Sequence, residues 1–431
     1  MDKNHFLFTS ESVSQGHPDK ICDQLCDSLN DYFIAFDPNS HCAIEAIVTT
    51  GQVIIAGEVK SEAYVDIQEV VRDTINKIGY TKSEYQFDGN SCGILNAIHE
   101  QSPDIDMGVT KENPEDQGAG DQGIFIAYGT NEWYNYMPAT IDIAHMIVKT
   151  LAEIRENEPE LMPYLRPDAK SQVTIEYDEN CKPIRIDTIV VSTQHDEFDT
   201  QENMQKKIRE DIINIVIPKV KEFYYNKMSK EKIDNLFADG IKYFVNPTGV
   251  FIIGGPTGDT GLTSRKLIVD TWGGWGSFGG GGFSGKDMAT KTDRSCVYFA
   301  RYIAKNCIAA GLCDRMLIQL SYAIGVADCL SIFVDTYGTN HTNYTDSEIA
   351  EKLRSLFDFR PYCIAQKLKL NTPIAFETAA YGHFGREPKI VHKHFGNKYG
   401  PDVDVDVELF TWEKLDAVEE IQNAFFNNTA N

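Results

Sequence analysis

Apolar side chains recur every four residues after the segment His17-Pro18-Asp19-Lys20, at Ile21, Leu25, Leu29 and Phe33. This spacing places them on one face and predicts an amphipathic helix from Pro18 onward. Proline suits the first turn of a helix because its missing N–H would have no partner there. The first long element is therefore a helix with one side against the core.

Two β-rich runs follow, Cys42 to Thr49 and Val53 to Val59, and the three residues Thr50-Gly51-Gln52 between them predict a hairpin. Glu45 and Glu58 interrupt these otherwise apolar runs, and folding about the turn should bring them close together. A carboxylate buried in such a strand needs a partner, often a cation.

The rest of the chain alternates predicted strands and helices. A strand is expected at Ile124 to Tyr128, and a hairpin around Asp178-Glu179-Asn180 is expected to join Val173 to Tyr177 with Arg185 to Ser192. Helical periodicity marks Thr200 to Val216, which Pro218 should interrupt, and about Asp293 to Ala310, which Gly311 should cap. Strands should follow at Met316 to Ile324 and Ser331 to Tyr337.

Helices packed on antiparallel hairpins thus recur about three times, which favours an α+β fold with three similar domains over a doubly wound parallel sheet. The length of 431 residues agrees with this, at about 150 residues per domain. We predict domains at 1–112, 113–250 and 251–431, with interleaved structural elements.

The composition limits the partners. With 40 basic and 64 acidic residues the net charge is −24, which argues against nucleic acid or an anionic membrane as a partner. No segment approaches the ~18 continuous apolar residues of a membrane span, and the start lacks the pattern of a signal peptide, so we expect a cytoplasmic protein. The ten cysteines include no CxxC pair, which favours buried free thiols over zinc ligands.

The segment 254–291 is dense in glycine, and positive charge is concentrated there. Between Arg265 and Lys305 seven basic residues face three acidic ones, an excess of four positive charges in an acidic chain. Glycines let backbone N–H groups approach an anion, and nearby cations supply the compensating charge. The segment is therefore a candidate cradle for a polyphosphate.

Three other interpretations of these glycines remain. Gly280, Gly282 and Gly285 satisfy the GxGxxG dinucleotide fingerprint, and Gly280 to Lys286 has Walker spacing, but with Asp287 in place of Ser or Thr. A flexible linker is the third, and the aromatic residues Trp272, Trp275, Phe278 and Phe283 weaken it.

His17, Asp19 and Lys20 lie together at a helix N-terminus, where backbone N–H groups and the helix dipole favour phosphate. Each of Asp19, Asp121, Asp259 and Asp293 adjoins glycine, proline or a basic residue. Magnesium commonly takes one or two carboxylates together with substrate phosphates, so such scattered aspartates suit it. The chain has no GxSxG or HExxH motif, which disfavours covalent and zinc chemistry.

The chain resembles the S-adenosylmethionine synthetase (methionine adenosyltransferase) family over nearly its full length. The residues that carry the resemblance are SESVSQGHPDK (10–20), GAGDQG (118–123), RPDAKSQV (166–173), GGPTGDTGLTSRK (254–266), FSGKD (283–287) and AAYGHFGRE (379–387). Together these motifs are highly specific, although none would be so alone.

The resemblance implies three α+β domains in a pseudo-threefold arrangement. It also implies a homodimer or homotetramer, a dimer of dimers with active sites between subunits. The implied reaction converts ATP, L-methionine and water into S-adenosylmethionine, phosphate and diphosphate, with about two Mg²⁺ ions and one K⁺ ion per site. A thioether sulfur has no proton to lose and needs no general base, so the chemical demand falls on the leaving triphosphate.

The resemblance also assigns residues. His17, Lys170, Arg265, Lys286 and Lys291 would be catalytic, and Glu58, Gln101, Asp121, Asp259 and Lys291 would bind methionine. The implied ATP-binding set is His17, Asp168, Lys170, Phe251, Asp259, Arg265, Lys266, Gly282 and Lys286. Asp19 and Asp293 would hold Mg²⁺ and Glu45 would hold K⁺, while Gln101 to Lys111 would form a gating loop.

Several positions depart from the family pattern: Gln15 for glutamate, Gly282 for alanine, Val250 and Ser277 for basic residues, Phe278 for histidine, and one extra residue within Met288-Ala289-Thr290. The insertion bears on the assignment of Lys291. These departures motivate a second hypothesis, a catalytically silent paralogue that acts as a regulatory or assembly subunit. A nicotinamide-dependent dehydrogenase, suggested by GxGxxG alone, is a third.

Overall fold

A computed structural model of the chain describes residues 4–101 and 113–426. Its helices are α1 (Pro18–Phe36), α2 (Ile67–Ile78), α3 (Ala139–Asn157), α4 (Gln201–Asp211), α5 (Ile217–Tyr225), α6 (Lys230–Leu236), α7 (Gly255–Gly258), α8 (Leu267–Asp270), α9 (Thr292–Ala309), α10 (Asp346–Leu356), α11 (Pro361–Lys367) and α12 (Val418–Phe426). Its strands are β1 (Phe6–Val13), β2 (His41–Thr49), β3 (Gln52–Lys60), β4 (Gly93–His99), β5 (Gly123–Thr130), β6 (Leu165–Tyr177), β7 (Pro183–His195), β8 (Lys242–Val245), β9 (Gly261–Leu262), β10 (Arg315–Tyr322), β11 (Ser331–Asp335), β12 (Lys389–Phe395) and β13 (Val403–Leu409).

The described strands form four sheets, with the orders β1-β6-β7-β8, β4-β3-β2-β9, β11-β10-β5 and β12-β13. Their neighbours pair antiparallel except β3 with β4 and β7 with β8. This confirms the α+β prediction of mostly antiparallel sheets. Strand β1 pairs with β6, β5 with β10 and β9 with β2, so each larger sheet takes one strand from a distant part of the chain.

Each larger sheet packs against a long helix. Helix α1 packs against β2 and against α2. Helix α3 covers β1 and β6, and α9 covers β5 and β10. The predicted apolar face of α1 is confirmed, since Ile21, Leu25 and Leu29 are fully buried. The hairpin β2–β3, the hairpin β6–β7 and the end of α9 near Gly311 were also predicted correctly.

The expected break at Pro218 is wrong. A π-helical segment, Ile212–Val216, joins α4 to α5, and Pro218 lies in the first turn of α5. In this segment the Ile217 N–H donates to the carbonyl of Ile212, five residues earlier. The wider turn accommodates the proline ring, which would collide with a carbonyl in a regular α-helix, so the helical path continues.

All ten cysteines are free, and eight of them are buried, which confirms the thiol prediction. The exceptions are Cys181 and Cys363, which are partly exposed. Within residues 4–101 and 113–426, no helix is both long and apolar enough to cross a bilayer.

Candidate functional site

The N-terminus of α1 carries the first site residues. His17 is the N-cap of this helix, and its Nδ1 accepts a hydrogen bond of 3.2 Å from the Asp19 N–H. The side chain is almost fully buried. Burial, together with the charges of Lys266 and Lys170, lowers the pKa of His17 to about 3. The imidazole is therefore neutral at physiological pH.

Asp19 joins the helix start to two cations of the glycine-rich segment. Its carboxylate accepts from Lys266 Nζ at 2.6 Å and from the Leu262 N–H at 3.0 Å, and Arg265 lies 3.7 Å away. Burial opposes the ionised carboxylate, but the bonds from Lys266 and Leu262 outweigh it and lower the pKa of Asp19. Asp19 is thus an anion that holds two predicted phosphate-binding cations beside His17.

Lys20 has a different role from its neighbours. Its fully buried ammonium donates to Asp23 at 2.8 Å and to Asp270. Burial alone would lower the pKa of Lys20, but the two carboxylates raise it. Lys20 is therefore charged and structural, and it does not line the site.

Four aspartates recur every four residues along α1, and all are buried: Asp19, Asp23, Asp27 and Asp31. Each is bound from a distant part of the chain, and the partners are in turn Lys266 (2.6 Å), the Ser264 N–H (2.8 Å), Arg294 (2.8 Å) and Lys393 (2.8 Å). Three of these partners lie between residues 264 and 294, so the aspartates fix the glycine-rich segment against α1. The sequence analysis did not predict this role, although the four-residue spacing of the aspartates can be seen in the sequence.

Lys286 and Asp293 form the second charged pair of the site. Lys286 Nζ lies 2.5 Å from Asp293 Oδ2, and Asp293 Oδ1 accepts from the Gly281 N–H at 2.9 Å. The Lys286 side chain is 22% exposed, so it remains partly open to solvent. A Cβ at Gly281 would come within 2.6 Å of that ammonium, which explains why a glycine stands there. The Gly281 N–H and the Lys286 ammonium together can bind an oxyanion.

Lys170 and Asp168, both on β6, lie near the start of α1. Lys170 is exposed, forms no ion pair with the described residues, and acts electrostatically on His17 and Asp168. Asp168 is 4% exposed; one of its oxygens accepts from the Gly255 N–H at 2.9 Å, and the other has no partner in the described chain. Burial raises the pKa of Asp168 to about 6. An unsatisfied buried carboxyl oxygen suits a ligand donor such as a hydroxyl.

Phe251 and Asp259 lie on the chain segment whose Gly255 N–H binds Asp168. The Phe251 ring lies against Gly254, where a Cβ would come within 2.7 Å of it. Its backbone is held by His195, through a bond of 3.0 Å to the carbonyl and one of 3.1 Å from the N–H. Asp259 is exposed and near enough for its charge to disfavour ionisation of Asp168.

Glu45 and Glu58 are close, as expected, but not buried. Glu45 pairs opposite Ala56 and Glu58 opposite Ala43, so both carboxylates lie on one face of the β2–β3 hairpin. That face is uncovered in a single chain: Glu45 is exposed and the Glu58 side chain is 43% exposed, 3.6 Å from His99. The expected burial is therefore wrong for the isolated chain, because α1 and α2 cover the opposite face.

The remaining predicted residues lie at the periphery. Asp121 is exposed on a loop whose Gly120 contacts the Thr290 carbonyl, beside Lys291. Lys291 is half-buried as the N-cap of α9 and forms no ion pair with the described residues. Gln101 lines a separate cavity of about 520 Å³ with Lys60. Most of the expected gating loop, residues 102–111, lies outside the described residues.

Comparison with known proteins identifies this arrangement. Three family models match in order: the S-adenosylmethionine synthetase N-terminal domain at residues 5–103, the central domain at 116–251 and the C-terminal domain at 253–394. The chain belongs to the S-adenosylmethionine synthetase family. The S-adenosylmethionine synthases of Parabacteroides distasonis, Cytophaga hutchinsonii and Flavobacterium johnsoniae are 59%, 58% and 57% identical to it, each match covering 97% of this chain and 99% of the relative.

The protein is accordingly a methionine adenosyltransferase, an enzyme of S-adenosylmethionine synthesis. The dinucleotide and Walker interpretations do not fit the structure. Gly280 to Gly285 lie in an irregular loop, and no helix begins until Thr292, whereas both motifs require a glycine loop that opens directly into a helix.

The structure accounts for three departures from the synthetase pattern, at Gln15, Phe278 and Gly282. Gln15 Nε2 lies 2.5 Å from Glu156, so glutamate at position 15 would place two like charges together. Phe278 packs edge-on against Phe283 at the C-terminal core. Nothing in the structure explains Ser277 or Val250, which are exposed.

Gly282 is explained by Ser264. A Cβ at Gly282 would lie 2.0 Å from Ser264 Oγ and 2.1 Å from its Cβ, and Ser264 has a left-handed φ of 62°. We expect Gly282→Ala to destabilise the synthetase by about 1–3 kcal/mol through overpacking. Ser264→Gly in the same chain should restore stability, because glycine adopts this φ freely.

Urea unfolding of the two single variants and the double variant checks this prediction. Gly396→Ala is the matched control, since a Cβ there meets nothing within 4 Å. A double variant as unstable as Gly282→Ala would contradict the expected steric pairing.

The carboxylates of the site are isolated from one another, and isolated carboxylates suit a hard cation such as Mg²⁺. Among the described residues no group of three or more His, Cys, Asp or Glu side chains is arranged to hold a metal ion. Asp19 and Asp293 each offer one carboxylate next to phosphate-binding cations. Because Mg²⁺ needs few protein ligands when phosphates complete its coordination, the two aspartates are compatible with it.

Proposed function

We propose that this synthetase joins the sulfur of L-methionine to C5′ of ATP in a single displacement that releases intact triphosphate. The sulfur lone pair forms the S–C5′ bond while the C5′–O bond breaks, and its electrons leave on the triphosphate oxygen. Water then divides the triphosphate into phosphate and diphosphate. The observation that carries the proposal is a set of four cations. Lys170, Arg265 and Lys266 lie around the α1 start, and Lys286 lies on the same glycine-rich segment as Arg265 and Lys266.

The ion pairs of the free site support this role. Lys266 is paired with Asp19 and Lys286 with Asp293, so each cation has a provisional anionic partner. A bound triphosphate would take over the lysines, and each freed carboxylate could hold Mg²⁺. Pre-placed charges of this kind stabilise a leaving group without reorganisation at the moment of reaction.

His17 contributes as a neutral group. Its pKa is lowered to about 3 by burial and nearby lysines, so it is uncharged, and the reaction needs no general base because the thioether sulfur has no proton. We assign it to contact the triphosphate near C5′. Mg²⁺, about two ions per site, would supply further positive charge at Asp19 and Asp293, and K⁺ would lie at Glu45, near Lys286.

The substrate pocket is assigned around this centre. Asp168, Phe251 and Gly282 would take the nucleoside part of ATP, with Phe251 against adenine. Methionine would bind between Glu58, Gln101, Asp121, Asp259 and Lys291, which come from five separate segments of the chain. The exposed hydrophobic residues of the β4-β3-β2-β9 sheet, Leu95 and Leu262, support a homodimer or a dimer of dimers that completes the site between subunits.

The test is a product balance. With ATP, methionine, Mg²⁺ and K⁺, the purified protein should form the sulfonium product, phosphate and diphosphate in equal amounts. Rapid quenching should reveal enzyme-bound triphosphate before hydrolysis. Diphosphate and AMP as early products would overturn the displacement at C5′, and no turnover would favour the silent paralogue.

A further inference from the structure

A cavity of about 170 Å³ lies outside the phosphate-binding cluster, between α3 and the segment 381–389. It is comparable with the roughly 150 Å³ engineered cavity that accommodates one benzene molecule, so it can hold one small ligand. Its walls combine aromatic rings with three cations, Lys149, Arg386 and Lys389.

Arg386 lacks a carboxylate partner in the described chain, and Lys149 has only one that is partly exposed. Arg386 donates to the carbonyls of Ala380 (3.0 Å) and Gly382 (3.3 Å), yet it pairs with no carboxylate in residues 4–101 and 113–426. Lys149 lies 3.6 Å from Glu153, whose side chain is 52% exposed. Burial lowers the pKa of both cations, and the charge of Arg386 further lowers that of Lys149. The cavity is therefore electropositive.

The two carboxylates that line the cavity are engaged elsewhere. Asp142 accepts from Trp133 Nε1 at 3.0 Å and from Tyr224 Oη at 2.6 Å, and burial raises its pKa to about 6. Glu387 accepts from Lys227 at 2.6 Å and also from a tyrosine hydroxyl. Neither carboxylate forms an ion pair with Lys149 or Arg386.

A buried imidazole adds an unpartnered polar atom. His145 is 5% exposed and lines the same cavity, and its Nε2 has no hydrogen-bond partner in the described chain. Its Nδ1 is 2.7 Å from Ser12 Oγ. With Ser12 as the donor, the proton lies on Nε2. The Val269 carbonyl acts on this ring but forms no hydrogen bond of normal geometry with Nε2.

We propose that this cavity binds one small tetrahedral oxyanion, such as inorganic phosphate or sulfate, held by Lys149, Arg386 and His145. An anion there supplies the missing counter-charge and accepts charge-assisted hydrogen bonds, which are strong in a partly buried site. The inference does not depend on the proposed reaction, since these residues are separate from the assigned catalytic set.

Calorimetric titration tests the site, with inorganic phosphate as the probe and full-length Lys286→Ala as the background that weakens the triphosphate cluster. Adding Lys149→Met should weaken phosphate binding by about tenfold or more, the loss expected for a bond to a charged group. Adding Lys206→Met, on an exposed lysine of α4, should leave binding unchanged. Equal affinities in the two variants, or no phosphate binding at all, would overturn the proposal.

Two further measurements test where the anion binds and whether it is a free anion or an ester. Crystals of the unmodified protein soaked in selenate should show an anomalous peak between Lys149 and Arg386, and an empty cavity would reject the site even if Lys149→Met failed to fold. Glycerol 2-phosphate should bind more weakly than phosphate. Tighter binding of the ester would reject the assignment to a free anion.

Discussion

Lys286→Ala is expected to lower kcat by about 10²–10³-fold, the usual loss when one pre-placed group that stabilises developing charge is removed. The Lys286 side chain is partly exposed, and its partner Asp293 keeps the bond from the Gly281 N–H when the lysine is gone. The fold should therefore survive, and the loss should appear in turnover rather than in stability.

Steady-state release of phosphate and thermal unfolding, measured on the same preparations, check this expectation. Lys206→Ala is the control, because that lysine is exposed and lies on α4. Unchanged turnover would remove Lys286 from the mechanism. A large fall in unfolding temperature would instead assign it a structural role.

Arg294→Met should produce the largest loss of stability, about 3–5 kcal/mol, because it leaves the buried carboxylate of Asp27 without its ion-pair partner. Arg294 and Asp27 are both fully buried and share two bonds of 2.8 Å. Arg294 also donates to the Lys286 carbonyl at 2.9 Å, so its loss loosens the glycine-rich segment from α1.

Chemical unfolding monitored by fluorescence provides the measurement. Lys219→Ala, which breaks a partly exposed pair with Glu158 at 2.7 Å, should cost within about 1 kcal/mol. Replacing both partners, by Asp27→Leu with Arg294→Met, should recover part of the loss because no buried charge remains unpaired. A single variant as stable as the Lys219→Ala control would contradict the argument.

Much of the fold and of the site chemistry could be predicted from local patterns. The four-residue period of Ile21, Leu25 and Leu29 predicted α1 and its buried face, and the turn at Gly51 predicted the β2–β3 hairpin. The cations around the glycines predicted a phosphate-binding region. The same reasoning overlooked Asp23, Asp27 and Asp31 of α1, because a four-residue spacing of acids also describes a solvated face.

Local patterns were least informative where a side chain's role depends on partners from distant parts of the chain. Lys20 and Lys286 are both lysines of recognised motifs, yet one is fully buried between Asp23 and Asp270 and the other remains partly exposed. Pro218 was expected to end a helix, but a π-helical segment accommodates it. Ser264 and Gly282 form a steric pair that no inspection of either position alone would reveal.

By itself the sequence determined the helix and strand periodicities, the location of the positive charge and the membership of a family. Only the tertiary structure decided which charges neutralise one another, which strands are shared between sheets, and which face of the β2–β3 hairpin is left open. The physical reason is distance along the chain. Periodicity is set by near neighbours, whereas the pairing of Asp27 with Arg294 spans 267 residues and depends on the whole fold.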